Sequence, residues 1–238
     1  EALLHYQRIQ QGTFVNVKTL NVSMALLKKY NLKKALSHID KKIKIKNQNN
    51  LLNSLSLKLS IFEEIGESAD IIKLSSQILE SFPNNERALY SRALAYEKEG
   101  NILSMSKDFD EMIKLNKYNS IALNAYGYSL ALHKLHLDKS EKLIRKALEI
   151  RPGEAAILDS LAWVLYLKGS YKEAAKYSSL AYSKDQDPEI IEHHYLILLK
   201  NGNSNEAKSI LDQSIKNNPN SEKLLKLLDS SENAAIKL

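Results

Sequence analysis

The chain repeats itself. Six times, an amphipathic helical stretch, a turn at Gly or Asn and a short second helical stretch follow one another, with a period of 33 to 35 residues. A period in that range marks a solenoid of helical hairpins, in which each unit buries its apolar face only against its neighbours. The units span residues 17–51, 52–85, 86–119, 120–154, 155–187 and 188–220. Residues 221–238 read as a closing helix over the last apolar face, and residues 1–16 as the second helix of a truncated unit. Glu1-Ala2 matches Glu173-Ala174 and Glu206-Ala207, which open later second helices, so the stretch is expected to be the C-terminal part of a longer array.

Composition narrows the chemistry. Cysteine is absent, which excludes disulfides and thiolate catalysis and fits either redox compartment. No stretch approaches the roughly 18 continuous apolar residues of a membrane span. The net charge of +6 is carried by Lys; the arginines are Arg8, Arg87, Arg92, Arg145 and Arg151. The densest basic run is Lys28 to Lys46, KKYNLKKALSHIDKKIKIK. A nucleic-acid surface would add stacking aromatics or an arginine fork. Without them the run reads as solvated helix faces, and nucleic acid is not expected as a partner.

The clearest unit is Ala155 to Asp187, AAILDSLAWVLYLKGSYKEAAKYSSLAYSKDQD. Leu158, Leu161 and Leu165 recur at helical spacing, a core-facing stripe. Gly169 ends the first helix where a positive φ is needed. Ala174, Ala175, Ser178 and Ala181 then give the second helix a small-residue face, which lets two antiparallel helices approach closely. The unit before it carries Tyr126, Gly127, Leu130, Ser140, Ile144, Ala147 and Pro152; the unit after it, Ile191, His194, Tyr195, Leu198, Gly202, Ala207, Leu211 and Pro219.

This pattern resembles the tetratricopeptide repeat (TPR) family: Leu then a small residue in the first helix, Gly at the turn, Ala on the second helix, Pro near the end. The resemblance implies an all-α, right-handed superhelical solenoid of antiparallel helix pairs. Toward the N-terminus the period holds while the detail weakens. Ile71, Ile78, Met105 and Met112 stand where later units use Ala or Ser. Those larger side chains should push paired helices apart and alter the curvature over residues 52–119.

In such a solenoid the first helix of each pair lines the concave groove. The groove positions are Tyr90, Leu94 and Glu97; Asn124, Tyr128 and Leu132; Asp159, Trp163 and Tyr166; and Glu192, Leu196 and Leu199. Tyr128 and Trp163 hold equivalent places in successive units, so their rings are expected side by side, with Asn124 and Asp159 as a polar row one turn earlier. Aromatics on a concave surface are preferred anchors. The competing reading is that Trp163 packs on the adjacent repeat. Arg87, Arg92 and Lys98 could meet an acidic group, but nearby Glu97 argues against a simple carboxylate clamp.

Catalytic signatures are missing. His133 and His136 form an H-x-x-H pair in or beside an inter-helix turn, without the further ligands a zinc site needs. His194 takes a place normally held by Leu and is expected to pack partly buried. No nucleophile constellation or phosphate-cradling glycine loop is present. The expectation is no enzyme, no metal and no cofactor.

The segment Asn124 to His194 carries a closer resemblance. Asn124-Ala125-Tyr126-Gly127-Tyr128, Ile157 to Tyr166 and Asp187-Pro188-Glu189-Ile190 resemble the C-terminal repeats of bacterial TPR proteins of the envelope, many of them outer-membrane lipoproteins facing the periplasm. Some act as adaptors bringing substrates to a carboxyl-terminal processing protease. That resemblance implies a lipid-anchored full-length protein outside the cytoplasm, and marks Tyr128, Asp159, Trp163 and Tyr166 as the positions that meet a partner. The reading is a non-catalytic scaffold holding a protein or peptide, with a protease and its substrates as candidate partners. A structural module for oligomerisation or envelope assembly and a cytoplasmic peptide-binding scaffold stand as alternatives.

Overall fold

Turns in this chain are punctuated by residues chosen for their backbone. Gly66, Gly100, Gly153, Gly169 and Gly202 all adopt positive φ, between 71° and 89°, the conformation that ends a helix and that only Gly adopts without a Cβ penalty. Helix starts are marked by Asn. The side chains of Asn31, Asn47, Asn85, Asn101 and Asn119 each accept a hydrogen bond from the backbone N–H three residues on, satisfying one of the donors a helix start leaves unpaired.

The computed structural model describes residues 14–29 and 31–235, and these form thirteen α-helices. The chain divides into two compact units, Glu1–Lys117 and Tyr118–Leu238. The first holds α1 (Phe14–Lys29), α2 (Leu32–Lys42), α3 (Gln48–Ile65), α4 (Ser68–Ser81), α5 (Glu86–Lys98) and α6 (Ile102–Leu115). The second holds α7 (Ser120–Leu132), α8 (Leu137–Ile150), α9 (Ala155–Leu167), α10 (Tyr171–Lys184), α11 (Pro188–Lys200), α12 (Ser204–Asn217) and α13 (Glu222–Ala235). Residues 1–13, where a truncated second helix is expected, lie outside the described residues, and α1 already runs from Phe14 through Val17.

In the first unit, Ala35, Ile39, Leu57 and Ile61 form one apolar cluster between α2 and α3. The basic run is thereby explained: α2 buries Ala35 and Ile39 completely and turns Lys33, Lys34, Lys41 and Lys42 to solvent. Farther on, Met105, Phe109 and Met112 are fully buried along one face of α6.

The second unit is packed through smaller residues. Ser140, Ile144 and Ala147 on α8 and Ala174, Ser178 and Ala181 on α10 are all 0% exposed. Gly127 of α7 shows how close two helices come: a Cβ there would stand 2.6 Å from Ile144 Cγ1 and 2.9 Å from the Ser140 carbonyl oxygen. The Ser140 hydroxyl donates to the Gly127 carbonyl at 2.6 Å, tying the pair at the point of contact.

The turn between α7 and α8 is the exception to the glycine rule. Lys134 and His136 hold positive φ values of 54° and 46° there. An L-residue in that region costs about 1–2 kcal/mol. Lys134→Gly is therefore expected to stabilise the chain by about 0.5–1 kcal/mol; thermal unfolding followed by circular dichroism would detect it, and a lower Tm would contradict the strain assignment.

Candidate functional site

The second unit brings its first helices together in one layer. Helices α7, α9, α11 and α13 pack directly on one another, whereas α8, α10 and α12 pack chiefly on the first helices. Within this unit the first helices thus form one continuous layer, and side chains between their core positions come together across it.

Aromatic rings run along that surface. Trp163 of α9 is half-buried and stacks on His193 of α11 at a centroid distance of 4.1 Å and 17°. On α9 itself, Tyr166 stacks on Trp163 at 5.0 Å and 15°, and Tyr171 at the start of α10 lies 5.7 Å from Tyr166. Tyr128 of α7 lies 6.2 Å from the same His193 ring. Tyr128 and Trp163 therefore meet through His193, which stands one period after Asp159. Trp163 also answers its two readings together: one contact goes to the next repeat, and the ring keeps solvent exposure.

Polar groups lie under and beside the rings. Asp159 is 5% exposed, with its Oδ2 2.8 Å from His193 Nδ1. Burial raises the Asp159 carboxyl above its usual range, opposed by the hydrogen bond to His193. Its second oxygen, Oδ1, and Oδ1 of Asn124 are buried acceptors with no hydrogen-bond partner among the described residues. The Tyr128 hydroxyl donates to Glu189 at 2.6 Å, reaching from α7 to the first turn of α11. Glu192 pairs with Lys223 of α13 at 2.8 Å. Leu196 is half-buried against the cluster of Tyr195, Leu198, Ala207 and Leu211.

In the first unit the expected groove positions fare differently. Tyr90 is only 5% exposed and packs edge-on against Phe109 at 6.1 Å. Burial, with Glu97 adding to it, pushes its phenol up to about 12. This ring belongs to the core between α5 and α6, a correction to its reading as an open anchor. Leu94 is half-buried.

The three cations of α5 already have partners. Arg87 binds Glu63 at 2.8 Å and Ser60 at 2.5 Å, and the Ser91 hydroxyl donates to the other oxygen of Glu63. Arg92 holds Asp108 with two bonds, at 2.7 and 2.8 Å, and also donates to Ser76. Lys98 donates to the Gly66 carbonyl. A partner's carboxylate would have to displace these contacts, so the cations of α5 serve inter-helix packing.

His133 and His136 are exposed and flank the turn between α7 and α8. Among the described residues no group of three or more His, Cys, Asp or Glu could hold a metal ion, and no helix is long and apolar enough to cross a membrane. His194 is 1% exposed, with its Nδ1 2.8 Å from the Ser178 hydroxyl and its ring stacked on Tyr182 at 5.2 Å.

No protein-family profile matches the chain. A TPR repeat-containing protein of Pseudomonas aeruginosa is 34% identical over 115 residues, 48% of this chain and 20% of that protein. The chain thus spans about a fifth of the length of the curated relative it matches. Among solved structures, PilW, described as a widely conserved type IV pilus biogenesis factor, aligns with a TM-score of 0.71 at 17% identity over 91% of this chain and 100% of its own. A tetratricopeptide repeat protein of Parabacteroides merdae aligns at 0.69 and 18% identity, over 95% of this chain and 88% of its own. The pilF protein of Pseudomonas aeruginosa aligns at 0.66 and 15% identity, over 91% of this chain and 97% of its own. Identities this low speak to fold alone, and with the 33- to 35-residue period and the paired helices they lead to one statement: the chain is an all-α helical solenoid of the tetratricopeptide-repeat type.

Proposed function

We propose that the chain is a non-catalytic scaffold that holds a protein or peptide segment on the first-helix layer of its second unit. The observation that carries this reading is the row Tyr128, His193, Trp163 and Tyr166, drawn from three successive first helices and left partly open at Trp163 and Tyr166. Aromatic rings fixed by their neighbours bury large area at small entropic cost, which is what a binding anchor requires. Below them, Asn124 and Asp159 offer acceptors of the kind an extended backbone needs.

The sharper version places the full protein in the bacterial envelope, outer-membrane-associated, as an adaptor that presents substrates to a carboxyl-terminal processing protease. It rests on the resemblance of residues 124–194 to such adaptors. In-cell crosslinking from position 163 would test it. Recovery of a processing protease or its substrates is the expected result; crosslinks confined to cytoplasmic proteins would overturn it.

Replacing both Tyr128 and Trp163 by Ala is expected to weaken capture of the crosslinked partner at least about tenfold, since central aromatic anchors contribute about 2 kcal/mol or more. Far-ultraviolet circular dichroism should stay helical. Undiminished capture would remove the groove assignment.

A further inference from the structure

We infer that this face takes a basic extended segment, with a Lys or Arg side chain of the partner seated beside the Trp163 row and replacing Lys223 as the cation that Glu192 holds, while Glu189 keeps its hydrogen bond from Tyr128 and adds its charge. The inference deepens the reading above and rests on it. The chain as a whole carries a net charge of +6, yet the layer around Trp163 is acidic. Asp159, Asp187, Glu189 and Glu192 all come from α9 or from the start of α11, and His193 lies among them.

Three independent features favour a cation over a neutral or acidic ligand. The first is the pairing of aromatic rings with carboxylates, which attracts ammonium and guanidinium groups through ring quadrupole and charge together. The second is the pair of unpartnered acceptors, Asn124 Oδ1 and Asp159 Oδ1. Buried acceptors call for donors, which backbone N–H, Lys and Arg supply and an ionised carboxylate does not. The Asp159 oxygen lies one turn before Trp163 on the same helix, which places an acceptor beside the row.

The third feature is internal. Lys223 of α13 reaches across to Glu192 at 2.8 Å. Its ammonium is held above the usual range although burial opposes this, because Glu192, Glu189 and Asp187 favour the charged form. The surface thus already holds one cation from its own chain at its C-terminal end. The Tyr128 hydroxyl meanwhile fixes Glu189, one turn before Glu192 on α11.

Trp163 is the sole tryptophan of the chain, so its fluorescence reports occupancy of this surface directly. The probes are three capped nine-residue peptides alternating Ser with Arg, with Gln or with Glu. The expected result is a saturable change with the Arg peptide only, weakening as salt is raised. Glu189→Gln should weaken binding about fivefold, the scale of one partly exposed ion pair. Lys223→Ala, which releases Glu192, should tighten it by a similar factor, a gain that a merely structural role for Lys223 would not produce.

Equal responses to the Arg and Gln peptides, or indifference to both substitutions, would overturn the charge inference. The two readings fail separately. Partner capture that still depends on Tyr128 and Trp163 while no peptide moves the fluorescence leaves the groove in place and removes the basic ligand. Capture indifferent to Tyr128 and Trp163 removes both.

Discussion

Arg87→Ala is expected to cost about 3–5 kcal/mol, the usual penalty for breaking a buried ion pair from one side. The Glu63 and Arg87 side chains are 5% and 10% exposed. Removing the guanidinium takes away the cation that stands 2.8 Å from the buried Glu63 carboxylate of α3. The sign reverses if both partners go. Glu63→Leu with Arg87→Leu removes the desolvation cost together with the attraction, and is expected within about 1 kcal/mol of the parent. Urea unfolding of the three proteins separates these outcomes. Because a solenoid is stabilised unit by unit, the single variant should also split its transition, with the α3–α5 region melting first. A loss below about 1 kcal/mol for Arg87→Ala would mean that water reaches the pair in solution.

The second large effect is a pH dependence set by His194. Burial pushes its imidazole down to about 4, with Glu206 opposing. In the unfolded chain the same group takes its proton near pH 6.5. Between those values the unfolded state binds a proton that the folded state refuses, so stability falls as pH falls. The contribution is fully present above about pH 6.5 and is lost progressively down to about pH 4, on the order of 3 kcal/mol in all. His194→Leu removes the titrating group and should flatten this part of the profile, at the cost of the Ser178 contact. Denaturation midpoints for parent and variant at pH 7 and pH 4.5 give the comparison. Parallel losses in the two proteins would show that His194 charges freely in the fold.

How much of this was legible in the residues follows from where each signal resides. The architecture is written locally, in Gly at positive φ, in Asn at helix starts and in apolar spacing, and each can be read within a dozen residues. The site is written across repeats. Asp159 and His193 are 34 residues apart, which is one period, and in a stacked array positions one period apart face each other. That rule links them, although nothing local to either residue does. Tyr90 was misplaced for a related reason. Its helical phase matches the groove, but Phe109 of α6 supplies a ring that turns it inward. A clamp by the cations of α5 is disfavoured in the sequence by Glu97, but the groups that pair with Arg87 and Arg92 are Glu63 and Asp108, which come from α3 and α6, outside any local motif.

The hydrogen bond from Tyr128 to Glu189 joins residues 61 positions apart, whereas Asp159 meets His193 over 34 and Ser140 meets Gly127 over 13. Neighbouring hairpins can therefore dock while this contact is still open, since local contacts form at smaller loop-closure cost. It can close only after three first helices have stacked in register. That makes it a late event in assembly and a strut once formed, setting how far the first and third of these helices can spread when something enters between them.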